Sequence, residues 1–185
     1  ALSSAASDVY KRQEVAGELD TPSRAVAADL TSETDIANIR ATLSAEDPRV
    51  TFLVNAAGFG KFGDWQTISD AAVDSMIDLN CRGLTEMTCT CLPWMHKGTR
   101  IINLASAAAF CPQAKFAVYA ATKSYVLSFS RSFAAELKEK GIFVTAVCPG
   151  PVDTPFFEVS GKLPGGMKEA CLLYTSPSPR DYAAS

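Results

Sequence analysis

AVYAATKSYVLSFSRSFAAELKEKGIFVTAVCPG, residues 117–150, contains a helix, a strand and the joint between them. Val118, Tyr125, Val126, Phe129 and Phe133 share one arc at about 100° per residue, which predicts a helix over 117–141. A basic final turn and Gly141 close it. IFVTAVCPG (142–150) then runs apolar and β-branched until Pro149. A strand without polar alternation is buried on both faces, as in a parallel sheet covered by helices.

The same alternation extends toward the N-terminus. TRIINLAS (99–106) reads as a strand, and ISDAAVDSMIDLNCRGLTEMTCTCLPWM (68–95) as one long helix capped by Ser69. RVTFLVNAAG (49–58) reads as an apolar strand followed by a glycine-rich loop, SETDIANIRATLSAED (32–47) as a helix, and RAVAADL (24–30) as a short strand ending in Asp29. Strands alternating with helices predict an α/β, Rossmann-like doubly wound parallel sheet.

The two ends read differently. DVYKRQ (8–13) and CLLYTS (171–176) can be encoded by opposite strands of one short duplex, an inverted repeat that is not a protein feature. SSAASDVYKRQ (3–13) and CLLYTSPSPRD (171–181) resemble in-frame translations of a sequencing-library transposon adapter. The expected organisation is therefore an adapter-like segment at 1–13, a partial Rossmann-like domain at 14–170, and a second adapter-like segment at 171–185. Setting aside Lys11, Arg12, Arg180, Asp8 and Asp181 leaves 14 basic and 18 acidic residues, with no basic cluster. That balance argues against nucleic acid as a partner. No apolar run approaches the ~18–20 residues of a membrane span. Cys81, Cys89, Cys91, Cys111 and Cys148 form no C-x-x-C pair and fit reduced thiols in the cytoplasm. His96 has no ligand-spaced companion, so no metal site is expected.

GFGKFG (58–63) matches the dinucleotide fingerprint G-x-G-x-x-G, and Asp78 lies twenty residues beyond Gly58. The chemistry does not follow the pattern. Pyrophosphate binds at free N–H groups of a helix N-terminus, and GDWQT separates this run from the helix cap. Asp78 falls inside a predicted helix, whereas the ribose-binding carboxylate belongs at a strand end.

Four other residues stand out. Ser106 ends a strand at the sheet edge where open α/β folds bind ligands. Tyr119 and Lys123 follow on the next helix, one turn apart on a shared face. Asn80 sits within the long helix, where asparagine is a poor helix former. A free phenol titrates near 10, too high for rapid proton exchange at neutral pH. A cation about 4 Å away, at an effective dielectric of ~20, supplies ~4 kcal/mol, so Lys123 is expected to bring Tyr119 down toward neutrality.

Together with AADL, NAAG (55–58) and PGPVDT (149–154), this constellation resembles the short-chain dehydrogenase/reductase family over nearly all of 14–170. The resemblance implies a Rossmann-like domain that moves hydride between NAD or NADP and a small carbonyl or alcohol. It implies Asn80, Ser106, Tyr119 and Lys123 as the catalytic set: Ser106 holds the substrate oxygen, Lys123 also bonds the nicotinamide ribose, and Asn80 anchors a water toward Lys123. Asp29 would meet the adenine, and Asn55, Ala56 and Gly58 would border the cofactor cleft. Pro149, Gly150, Val152 and Thr154 would hold the nicotinamide end. It also implies a homodimer or tetramer built through the Tyr119 helix, whose Ala117, Ala121, Ser124, Ser128, Ser132 and Ala135 form a stripe of small residues.

The family's glycine-rich pyrophosphate loop and first two strands are expected upstream of Glu14, and its last strand beyond the lid at PFFEVSGKLPGGMKE, so the domain reads as incomplete. Phe110, Phe116, Phe156 and Phe157 fit either an apolar substrate pocket or core. A non-catalytic dinucleotide-sensing or scaffold protein on the same fold is the rival reading, which an intact proton relay opposes.

Overall fold

A computed structural model of the chain describes residues 17–18, 21–111, 113–150 and 160. Helix α1, Glu33–Glu46, starts where the Ser32 hydroxyl accepts the Asp35 N–H and ends at Asp47 in the left-handed region. Strand β1 is Val50–Asn55. Helix α2, Asp70–Ile77, is capped by Ser69 as expected. A π-helical segment, Asp78–Gly83, joins it to α3, Leu84–Cys91, and a 3-10 turn, Leu92–Trp94, comes next. Strand β2 is Met95–Leu104, α4 is Ala117–Glu136, and β3 is Phe143–Val147.

The three strands form one parallel sheet in the order β1-β2-β3. Leu53, Ile101 and Val144 lie in register, as do Asn55, Asn103 and Ala146. Helices cover this face, packing Ile101 with Ile36, Ile39, Met87 and Leu137, and Ala105 with Leu84 and Val126. A doubly wound sheet carries helices on both faces; among the described residues they cover this one. On the other face Phe52, Val54 and Phe143 remain 61%, 54% and 53% exposed, with the Arg100 guanidinium over the Phe143 ring.

Four sequence expectations need correction. RAVAADL is not a strand: residues 24–29 are irregular, because among the described residues no strand flanks them to complete a ladder. Leu30 is nevertheless buried in the main cluster, and the Asp29 carboxylate is occupied by the N–H and hydroxyl of Thr31. The long helix is not uniform, being widened by the π segment and ending before Met95. The strand read as 99–106 begins four residues earlier and is irregular between Val50 and Phe52 of its neighbour, so Ser106 lies beyond the strand end. Helix α4 stops at Glu136, and turns carry the chain to Gly141 at φ +66°.

Candidate active site

The site forms at the carboxyl ends of the parallel strands, where the loops after β1, β2 and β3 meet the first turns of α4. Beyond Leu104, Ala105 N–H bonds the Val147 carbonyl and Ala107 N–H the Pro149 carbonyl, which ties the β2 and β3 exits together. Ser106 is extended between them, and its hydroxyl accepts the Ala108 N–H at 3.2 Å, capping a 3-10 turn at Ala107–Ala109. With that lone pair used, its single proton is left for an oxygen in front. The Tyr119 phenol lies close enough for the Ser106 side chain to lower its pKa against the effect of burial.

Tyr119 and Lys123 are both buried on α4. The Lys123 ammonium donates to the Leu104 carbonyl at 2.8 Å and stands 5.7 Å from the Tyr119 ring centre. Burial lowers the Lys123 pKa to about 8, and the nearby Cys81 and Cys148 thiols oppose that fall. The phenol departs from expectation. Burial pushes Tyr119 up from its ordinary value and the Ser106 side chain opposes this, so desolvation sets the direction of the shift.

Asn80, 1% exposed, lies in the π segment, a kind of helix irregularity common at functional sites. Its Oδ1 accepts the Phe59 N–H at 3.0 Å, while its Nδ2 donates to the Phe59 carbonyl at 2.8 Å and the Thr122 hydroxyl at 3.0 Å. Both amide protons are thus spent, and one Oδ1 lone pair remains. A Cβ on Gly58 would meet that Oδ1 at 2.8 Å and the Lys123 Nζ at 3.3 Å, so the loop after β1 closes against both residues.

The Asn55 side chain is engaged in a buried polar chain, while the residue also lines a cavity with Ala56, Leu30 and Leu79. Its Nδ2 donates to Thr88 Oγ1 at 2.9 Å and to Asn103 Oδ1 at 2.8 Å, and Asn103 Nδ2 donates to Ser130 Oγ at 2.9 Å. This buried polar chain connects α3, β1, β2 and α4. Ala56 is exposed beside it, and Gly150 presents bare backbone, since a Cβ there would meet nothing within 4 Å. Asp29 lies in the turn before α1. Val152, Thr154, Phe156 and Phe157 are outside the described residues. Phe116 is core, stacked on Tyr119 with ring centres 4.2 Å apart, and Phe110 is 63% exposed.

Sequence reasoning missed Thr122 and Cys148. The Thr122 hydroxyl donates to the Tyr119 carbonyl and accepts from Asn80, a role its place inside YAATK could have signalled. Burial raises the Cys148 pKa, and the Ser106 backbone and the Lys123 ammonium oppose the rise. All five cysteines among the described residues are free. No helix there is long and apolar enough to cross a membrane, and no cluster of metal-ligating side chains occurs among them.

Known proteins resemble this chain in sequence and in fold. The profile of the short chain dehydrogenase family matches residues 3–162, a span that begins inside the adapter-like segment. An "uncharacterized oxidoreductase" of Staphylococcus epidermidis is 34% identical over 147 residues, covering 78% of this chain and 64% of the relative. A 3-ketoacyl-(acyl-carrier-protein) reductase of Brucella melitensis, solved with NADH, superposes with a TM-score of 0.72 at 33% identity, covering 80% of this chain and 64% of that one. A short-chain dehydrogenase of Sphingobium yanoikuyae, solved with NADPH, gives a TM-score of 0.74 at 27% identity, covering 86% of this chain and 63% of that one. The chain therefore spans slightly under two thirds of the length of each of the three.

Proposed function

Because the chain belongs to the short-chain dehydrogenase family, we propose that its full-length protein transfers hydride between NAD or NADP and a small carbonyl or alcohol, with Tyr119 exchanging the proton. The observation that supports this is the buried pair Tyr119 and Lys123 one helical turn apart, with the Lys123 ammonium held by the Leu104 carbonyl two residues before Ser106. The dinucleotide, when bound, supplies or accepts the hydride. The residues at the strand ends fit its nicotinamide half: Lys123 offers donors toward a ribose, and Gly150 leaves room for close approach.

In the reducing direction Tyr119 gives its phenolic proton to the substrate oxygen. Burial holds it protonated through neutral pH, as an acid requires. Ser106 turns its one free proton to that oxygen and stabilises the charge developing there. Lys123 stabilises the phenolate left behind, and the remaining Oδ1 lone pair of Asn80 can hold a water that returns a proton toward Lys123. The free thiols fit the cytoplasm, and the exposed stripe on α4 fits a homo-oligomer.

The test is consumption of NADH or NADPH by the full-length protein against a panel of aldehydes and ketones. Tyr119→Phe should lower kcat by about 10²–10⁴-fold while cofactor affinity stays within a factor of about three. Retained turnover in that variant, or cofactor binding without turnover on any carbonyl, would refute the reading. The second result would favour a non-catalytic dinucleotide sensor.

A further inference from the structure

GFGKFG fails as a pyrophosphate loop, yet two of its glycines meet the catalytic pair. Asn80 clamps the run at Phe59 through both backbone polar groups. On one side of that clamp Gly58 abuts Lys123 and Asn80; on the other, buried Gly60 abuts Tyr119. A Cβ on Gly60 would lie 2.6 Å from Tyr119 Cδ2 and 2.8 Å from Phe116 Cε2 and Cζ. Neither glycine has a positive φ, so close approach, not backbone freedom, excludes a side chain. The bare Gly60 backbone lies against both rings of the stacked Tyr119–Phe116 pair, which are inclined at 23°. Because α4 fixes the Tyr119 backbone, that contact decides where the hydroxyl stands relative to Ser106.

We propose that Gly60 is a positioning residue for Tyr119, its missing side chain setting the phenol in line with Ser106. The inference rests on Tyr119 being the proton donor. Ordinary carbon contacts are about 3.5–4.0 Å, so an alanine at position 60 must displace the ring by about 1 Å. A misplacement of that size costs on the order of 10² in rate. Moving the ring away from Ser106 also removes what opposes the rise in the phenol pKa.

In the full-length protein, Gly60→Ala should lower kcat about 100-fold with cofactor affinity nearly unchanged. The limb of the kcat–pH profile that reports the phenol should move to higher pH. Gly60→Ala combined with Phe116→Leu, which removes the second crowded ring, should recover at least about tenfold over Gly60→Ala, the coupling expected of groups in contact. A merely structural glycine would leave the limb in place and make the double variant worse. Wild-type kcat in Gly60→Ala, an unmoved limb, or failure of both Gly60 variants to fold would overturn the proposal. Tyr119→Phe, assayed alongside, separates the two readings: if it stays active the proton-donor role falls, and if it is dead while Gly60→Ala is normal only the positioning role falls.

Discussion

Lys123 Nζ donates to the carbonyl of Leu104, the last residue of β2, at 2.8 Å. The bond joins the middle of a helix to the end of a strand two residues before Ser106, so one ammonium locks two site-bearing elements together. It does so from a buried position that disfavours its charge.

That cost has a pH signature. Lys123 binds its proton more weakly folded, at about 8, than its ordinary 10.5, so the unfolded chain holds more protons between those values. Stability contributed through this group therefore rises with pH from about 8 toward 10.5 and is lowest below 8. The displacement corresponds to roughly 3 kcal/mol. Above pH 9 the raised thiols of Cys81, Cys91 and Cys148 and the raised Tyr119 act in the same sense as one another, binding protons more tightly folded and opposing the lysine, which leaves a clear window near pH 8–9. Urea titrations of the full-length protein and its Lys123→Met variant should show wild type gaining on the variant across that window. A pH-independent difference would contradict the burial.

Asn103 holds the centre of the polar chain between Asn55 and Ser130. Asn103→Leu removes one of the two partners of Asn55 Nδ2 and the donor to Ser130 Oγ, and should cost about 1–3 kcal/mol. Thr99, buried on the same strand, is bonded instead to His96 and Val50 and should not couple to Thr88. A double-mutant cycle of Asn103 with Thr88, read by denaturant unfolding, should give a nonzero interaction energy, and strict additivity would count against the network.

Ala117, Ala121, Ser124, Ser128, Ser132 and Ala135 form a stripe on α4, and all six are exposed. Tyr125, 41% exposed, reaches α3, where its hydroxyl shares a 2.8 Å hydrogen bond with Thr85. Small side chains allow a second helix to approach closely, so the full-length protein should elute as a dimer or tetramer and Ser128→Arg as a monomer. An unchanged elution volume, or a monomeric wild type, would rule this face out.

The 185-residue chain as written should aggregate and show no cofactor-dependent thermal shift. Phe52, Val54 and Phe143 stand open on one sheet face, and β1 has no partner on its outer edge among the described residues. Exposed strand edges recruit other strands. A sharp melting transition raised by NAD(P)H would contradict this expectation.

Much of the fold was legible because it is written in local periods. Strands β1 and β3, helix α1 and the Ser69 cap lie close to where the pattern predicts them, and the i,i+4 spacing of Tyr119 and Lys123 was enough to bring them together. The illegible parts depend on distant partners. RAVAADL alternates like a strand, but a strand exists only beside another. Gly58 and Gly60 are constrained by side chains on α4 and the π segment, far away in sequence. The phenol pKa was misjudged because a charge can be read from a sequence, while the depth of its burial cannot.

The π segment at Asp78–Gly83 also limits how this chain can change length. An α-helix turns about 100° per residue, and a widened turn absorbs one residue without rotating the helix beyond it. Removing that residue would restore ideal winding and leave α3 in the same phase, with Thr88 still toward Asn55 and Leu84 toward Val126, but would take away the widened turn that carries Asn80. A one-residue deletion here should therefore spare the packing of α3 while breaking the contacts of Asn80 to Phe59 and Thr122. The extra residue between Ser69 and Met95 thus belongs to the placement of Asn80, and the two halves of the helix mesh with the sheet in the same phase with it or without it.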